Sequence, residues 1–552
     1  MLGVRRRGFS STVAPVTAAV LTALGQTPAL TGTNPPASEL AELYPQYYDL
    51  NIISPRASGT GGAPGAVGVG LQTWHPNFHA YPGITKKFMI SWHGGAFPVV
   101  SAVLTNAASG MTVESFTCPA GWTMYEIVWV NPQADATPTL TITDILGNTS
   151  EATWTCVVGT SQFKFVDSVN GTDTASSGTL ASPYRTLNYA RLNAGGNIIL
   201  YLRTGTYTTV ESSNGGAGFS AMQFSGASHP QSFVAYPGES PVIDGQWVQG
   251  GGDANGDVPM LWHAGSSAAY YEGIRFTRFY DKVVWWNSTD LHGAHFYRCT
   301  FDGIGRGQLE SVGSNAAILS WNRGTRWATV VQACDFDIGA LTIHCAMKCY
   351  TARSPVFMGN KFHSGTMTNI DGTIAMKEGN TDWYIMGNWF ADPRRPAIGG
   401  NNNDLNPLGS PPNSASGDFG WNQCYGGITD SSVQNLYDCI YVCRLFSTGN
   451  PRGALQVYRN TFIGQALLET LNSADGLLTW KRNVLINTDS SATPQPYFYY
   501  YNGITDATRL VLESNLTAVP ADGAVTATGL LQGSYRTLYG PGSGDDRGHE
   551  RP

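Results

Sequence analysis

From Tyr271 to Val519 the chain repeats one short alternation of apolar and polar positions nine times, as in EGIRFTRF (272–279), FYRCTFDG (296–303), VQACDFDI (331–338), FMGNKFHS (357–364) and IMGNWFAD (385–392). A Cys or Asn holds one fixed place in eight of the copies: Cys299, Cys334, Asn360, Asn388, Asn422, Asn460, Asn483 and Asn515. These anchors are 35, 26, 28, 34, 38, 23 and 32 residues apart, so one structural unit recurs with insertions. An apolar residue stands three before most anchors, and Phe301, Phe336, Phe362, Phe390 and Phe462 stand two after theirs. A period of two predicts strands with alternate side chains inward. The anchor amide then sits at a bend, bonding to backbone and to the anchors above and below, and the phenylalanines form an internal ladder. Units this small cannot close a core alone and must stack on their neighbours. Helical repeats are disfavoured, because β-branched, aromatic, Gly and Asn residues dominate and no long 3.6-residue period appears.

A different rhythm runs from about Ile84 to Val158, where short alternating strands (KFMISW, MTVESFT, YEIVWV, PTLTITD) are separated by turn signals. Its end, LTITDILGNTSEATWTCVV, resembles the last hairpin of an immunoglobulin-like β-sandwich, with Leu146, Gly147 and Asn148 at the turn. Next, FVDSVNGTDTASSGTLASPYRTLNYARLNAGGNIILYLRTGTY (165–207) and SFVAYPGESPVIDG (232–245) resemble the opening coils of the pectin-lyase-like right-handed parallel β-helix superfamily. The likeness spans about residues 161–519 and implies a short helix near Tyr184–Leu192 capping the open end of the core.

The expected chain is therefore all-β. An extended N-terminal arm (1–80) precedes an Ig-like β-sandwich (81–159), a right-handed parallel β-helix (160–520) and a flexible C-terminal tail (521–552). Members of the superfamily include polysaccharide lyases, glycoside hydrolases, adhesins and bacteriophage tailspikes, so the likeness fixes fold better than chemistry.

Composition narrows the partners. With 13% charged residues and a net charge of -7, the chain lacks the clustered cations that duplex nucleic acid requires. No apolar run approaches the roughly 20 residues of a membrane span. The 15 Trp, 26 Tyr and 22 Phe are mostly core, although any exposed ones stack on sugar rings; Trp74, Trp92 and Trp122 are candidates, with burial as the alternative. Nine cysteines make no disulfide framework in a chain this long, and Cys118 with Cys156 is the one pair placed to bridge the sandwich. Cys345 and Cys349 read as apolar core thiols, as do Cys439 and Cys443.

The first 30 residues read two ways. Arg6-Arg7-Gly8-Phe9 before a mildly apolar stretch loosely resembles a twin-arginine export leader, yet Pro15 interrupts it and no small-x-small site follows. The rival is a retained arm that docks on other virion proteins, with Tyr44–Leu50 as a short docking element.

Two sets of residues carry candidate chemistry. Lys348 and Lys377 fall twelve and eleven residues before their anchors, which sets them near one column on successive turns. Stacked ammonium groups depress each other's pKa, and a neutral lysine can remove the proton beside a uronate carboxylate while Arg394 or Arg395 steadies the intermediate. Two solvated lysines are the alternative. The second set is Asp302, Asp337 and His363, each one residue after a ladder phenylalanine; if turns align, the two aspartates approach the spacing of a retaining glycosidase. Glu378, Asp382 and Asp392 add acidity and line a substrate groove or bind calcium, the one cofactor the sequence allows. No P-loop, GxSxG or HExxH motif is present.

Three functions fit. The first is a bacteriophage tailspike or fibre that binds, and on the reading of either site depolymerises, a bacterial surface glycan, located in the virion and resembling proteins that are homotrimers. The second is a secreted bacterial polysaccharide lyase or glycoside hydrolase. The third is a non-catalytic structural or adhesive virion protein.

Overall fold

A computed structural model of the chain describes residues 50–54, 79–196, 198–208, 222–225, 232–247, 261–264, 269–279, 282–288, 294–305, 316–326, 329–337, 345–352, 355–363, 373–377, 383–391, 398–401, 417–425, 438–441, 454–463, 465–469, 477–486, 498–501, 510–513, 516–521 and 524–526. From Ile199 to Ala521 the chain visits three sheets in turn, so that each sheet receives every third strand, and Phe163–Val166 precedes this winding as a further strand of the first sheet. The first and second sheets hold 12 described strands each and the third holds 10. All their pairings are parallel except the closing one, Leu516–Ala521 with Ala524–Thr526. A helix, Leu187–Asn193, lies between the first two strands of the first sheet. Its N-cap Thr186 accepts a hydrogen bond from the Tyr189 backbone N–H, and it starts three residues later than the sequence suggested.

The expected ladders are present. Phe276, Phe301, Phe336, Phe362 and Phe390 occupy one register column of the second sheet, with successive ring centroids 5.0, 4.4, 4.8 and 5.0 Å apart. Asn360, Asn388, Asn422, Asn460 and Asn483 are all buried. The Oδ1 of Asn388 accepts from both the backbone N and the Nδ2 of Asn360, at 3.0 and 2.9 Å, and the same pair of bonds repeats up the column. Each Nδ2 also donates to a first-sheet carbonyl, as Asn388 does to Phe357 at 3.0 Å. Each amide therefore closes a bend on three sides, which leaves no buried donor wasted. Cys299 and Cys334 take the anchor place on the earlier turns, their Sγ atoms donating to the carbonyls of Tyr297 and Gln332.

The residue before each of these anchors has a left-handed backbone: Arg298, Ala333, Gly359, Gly387, Trp421, Arg459 and Arg482 all have φ between 52° and 64°. This conformation costs a side chain about 1–2 kcal/mol, so two glycines in the set are unremarkable. Their identity has a second cause, which lies in the N-terminal unit.

That unit pairs Lys86–Met89, Thr123–Trp129 and Met111–Thr117 in one antiparallel sheet and Val99–Thr105, Thr139–Asp144 and Thr149–Thr153 in another. The last hairpin turns where expected, with Gly147 at φ 85° and Asp144 Oδ1 accepting from the N–H groups of Leu146 and Asn148. Asn51–Ser54, from within the stretch expected to be an arm, pairs with Ser91–His93, and Leu50 and Ile53 join the core. Cys118 and Cys156 are separate buried thiols, so the bridge considered for them does not form. Trp154 Nε1 instead donates to Cys156 Sγ, and burial pushes that thiol up to about 12.

This two-sheet unit packs lengthwise on the outer face of the first sheet, forming one core with it. Tyr201, Val234, Tyr270, Tyr297, Val330, Val356, Met358, Tyr384, Met386 and Tyr458 lie in that shared core. A Cβ at Gly359 would sit 3.0 Å from Cys118 Sγ, and one at Gly387 only 2.5 Å from Phe97 Cζ. Trp421, at the same place one turn after Gly387, packs edge-on against Trp122 with centroids 5.6 Å apart. Polar contacts fix the seam: Glu126 accepts from Tyr297 OH at 2.5 Å and pairs with Lys87 and Arg298 at 2.7 and 3.1 Å. Gln332 donates to the Ile90 carbonyl and accepts from Ser91 Oγ. Burial lowers Lys86 and raises Glu272 across the same seam.

Candidate functional site

The winding offers three outer faces to a ligand, and they differ. The first sheet's face is taken by the two-sheet unit along most of its length. Trp92 and Trp122 are buried in that unit rather than exposed to sugars, and Trp74 lies outside the described residues.

The second sheet carries charge. One outward column runs Asp244, Thr277, Asp302, Asp337 and His363 in direct register, so the alignment expected for Asp302, Asp337 and His363 is present. The two aspartates are not equivalent, however. Arg275 Nε reaches Asp302 Oδ1 at 3.0 Å and its NH2 group reaches Oδ2 at 2.5 Å, so both oxygens are occupied by a guanidinium fork. Both oxygens of Asp302 are therefore engaged where the glycosidase pair was expected. Asp337 is free of that clamp; its Oδ1 lies 3.2 Å from His363 Nδ1, with both side chains substantially open to solvent at 57% and 40%. In the neighbouring column Lys361 pairs with Asp335 at 3.6 Å and lies 5.4 Å over the Trp389 ring. Burial is the main cause that raises Asp335, with Lys361 opposing it.

The third sheet is different again. Its core positions include Val284, Ile318, Met347 and Ile374. The positions that alternate with these belong to the other face of the sheet. One such register column reads Trp262, Trp285, Leu319, Lys348, Ala375 and Gly399. The next reads Asn287, Trp321, Tyr350, Lys377 and Asn401. Both lysines named from the sequence therefore fall on this sheet, but not opposite each other. Lys348 pairs with Ala375, and Lys377 pairs with Tyr350. The offset of two residues has two parts: the lysines stand twelve and eleven residues before their anchors, and the connection is one residue longer on the later turn, where Ala375 stands 13 before Asn388. Lys348 is also fully buried, not an exposed base. Arg394, Arg395, Glu378, Asp382 and Asp392 lie outside the described residues.

Among the residues whose exposure is described, no aromatic side chain is fully exposed; the large exposed apolar ones are valines and leucines. Among the described residues no group of three or more His, Cys, Asp and Glu gathers to hold a metal, and no helix is long and apolar enough to cross a membrane. The third-sheet columns, with Trp262, Trp285, Trp321 and Tyr350, were missed in the sequence because the repeat was anchored on Asn, a bend away from them. The signal that finds them is the spacing of WHA, WWN, SWN and KCYT between successive repeats.

No protein-family model matches the chain, and no curated protein matches it. Two solved structures of a GH136 lacto-N-biosidase from Eubacterium ramulus are similar to it, the selenomethionine derivative with a TM-score of 0.34 and the native protein with 0.31. Each is 11% identical and aligns over 64% of this chain and 67% of its own.

Proposed function

We propose that the three-sheet winding is a right-handed parallel β-helix of the pectin-lyase-like kind, that the unit on its first sheet is an immunoglobulin-like sandwich, and that the protein binds a bacterial surface polysaccharide as a tailspike-type component of a bacteriophage virion. The observation that carries the glycan reading is the third-sheet register, which sets Trp321, Tyr350 and Lys377 between Asn287 and Asn401 on adjacent turns. Adjacent strands stand about 4.8 Å apart, so these register positions recur at about that interval along the winding axis, and we read them as the places where a sugar chain is contacted.

In this reading residues 1–80 attach the chain to other virion proteins, and three copies assemble. The secreted-enzyme alternative, a lyase or hydrolase, draws on Asp337 and Asp302 in one column, and the Arg275 clamp on Asp302 weighs against its hydrolase form.

Binding to a panel of bacterial surface polysaccharides tests the reading, with reducing-end and unsaturated-product assays alongside. Trp321→Ala and Tyr350→Ala should each weaken binding by about 1 kcal/mol or more and leave folding intact. A chain that binds no polysaccharide, or binds equally after both changes, contradicts it. A mature protein beginning near Gln26 would favour the secreted alternative.

A further inference from the structure

The second sheet presents a base without a use in glycan binding. His363 Nδ1 lies 3.2 Å from Asp337 Oδ1, and register sets the two on adjacent turns of one outward column. An imidazole donating its Nδ1–H to a carboxylate is fixed in one tautomer, with the Nε2 lone pair directed away from that partner. Lys361, two residues earlier on the same face, carries an ammonium group that pairs with Asp335 at 3.6 Å. Asp302, one turn below Asp337, is held by Arg275 and does not compete for the ring. Trp389, the aromatic residue of this patch, is partly buried against the sandwich core and has Lys361 over its ring, so it makes no platform for a sugar. A patch with an oriented base and an ammonium group, but no exposed aromatic side chain among the residues whose exposure is described, suits a reaction on a substituent standing off a polymer.

We propose that His363, positioned by Asp337, activates water to hydrolyse carboxylic esters, of the O-acetyl type, carried by the polysaccharide; only the identity of that carrier rests on the glycan reading. His363 Nε2 takes a proton from water as the water oxygen bonds to the ester carbonyl carbon. The carbonyl π electrons move onto its oxygen, whose charge the Lys361 ammonium faces. The intermediate then collapses: the bond from carbon to the sugar oxygen breaks, and the proton on His363 passes to that oxygen. Acetic acid and a free sugar hydroxyl leave, and the imidazole is neutral again.

The test uses the full chain with 4-nitrophenyl acetate and acetylated xylan, measuring released nitrophenol and acetate. His363→Ala should lower turnover by about 10²- to 10⁴-fold. Asp337→Asn should lower kcat about 10- to 100-fold with KM unchanged, and Asp337→Glu should recover part of it, a pattern that a merely structural role would not give. Arg278→Gln, whose side chain pairs with Asp244 among the described residues, should leave turnover unchanged. Absence of hydrolysis of either ester, or full activity in His363→Ala, overturns the proposal. Polysaccharide binding without ester hydrolysis sinks this proposal alone, whereas His363-dependent hydrolysis without polysaccharide binding upholds it and sinks the glycan reading.

Discussion

The first and second sheets are built from the same turns of chain, yet one has both faces in a core and the other keeps one face in water. On the first sheet, strands such as Ile199–Leu202, Val356–Met358 and Trp383–Met386 are buried at every position, because the sandwich covers what the winding leaves outside. On the second sheet, Asp335–Asp337 and Lys361–His363 bury only the central phenylalanine and hold charged pairs outward. Toward its end the first sheet changes: Gln456 and Lys481, both partly exposed, take the outward places held on earlier turns by Tyr384 and on the preceding turn by Tyr458. Runs of apolar outward positions thus mark the covered face, where polar exceptions such as Gln332 and Asp418 are buried, and outward charged pairs mark the open one.

Changes on the two sheets should therefore differ in size. Removing the carboxylate of Glu126 leaves Arg298 and the buried Tyr297 hydroxyl without their shared acceptor across the seam. Glu126→Ala should cost about 3 kcal/mol in urea unfolding, and it should loosen the sandwich before the winding, seen as early proteolysis within 81–159. Gly387→Ala acts on the same seam, adding a Cβ against Phe97 and Trp122 at a left-handed position. A loss of about 2–3 kcal/mol is expected, again with the sandwich released first.

Asn388→Ala tests the winding rather than its cover. It orphans the Asn360 backbone N–H and leaves the Phe357 carbonyl without its donor, so about 1–3 kcal/mol should be lost with the sandwich and winding unfolding together. The smallest effect belongs to the open face. Arg275→Gln removes the fork on Asp302, but the arginine side chain is 53% exposed, and screening holds its worth below about 1 kcal/mol. A loss at Arg275 as large as that at Glu126 would break the distinction between the two faces.

Much of this was legible in the residues. The Asn and Phe ladders could be read because each needs the same residue at the same place on every turn, and identity survives insertion. The docking of the sandwich could not be read from the repeat, since no single residue type marks it. Its signal was negative: the runs ILYL and WYIM lack the polar alternation of an open face, and Gly359 and Gly387 precede their asparagines where Trp421 and Arg459 serve elsewhere. The Asp302–Asp337–His363 column was readable because all three lie within three residues of their anchors, too close for an insertion to intervene. The lysines lie twelve and eleven residues from theirs, and one added residue in the connection widened that offset of one to two. The Arg275 clamp was invisible for another reason: its partner lies 27 residues away in sequence and becomes a neighbour only through the winding.

The central claim is that the sandwich closes one face of the winding and leaves the third sheet to a polysaccharide. Hydrogen–deuterium exchange of the full chain, with and without a bound bacterial surface polysaccharide, tests it most directly. Added protection should fall on Val284–Ser288, Ala316–Arg326, Cys345–Ala352 and Ile374–Lys377, while the first-sheet strands, already slow beneath the sandwich, should not change. Protection concentrated on the sandwich or the first sheet, with none on the third, would contradict the account.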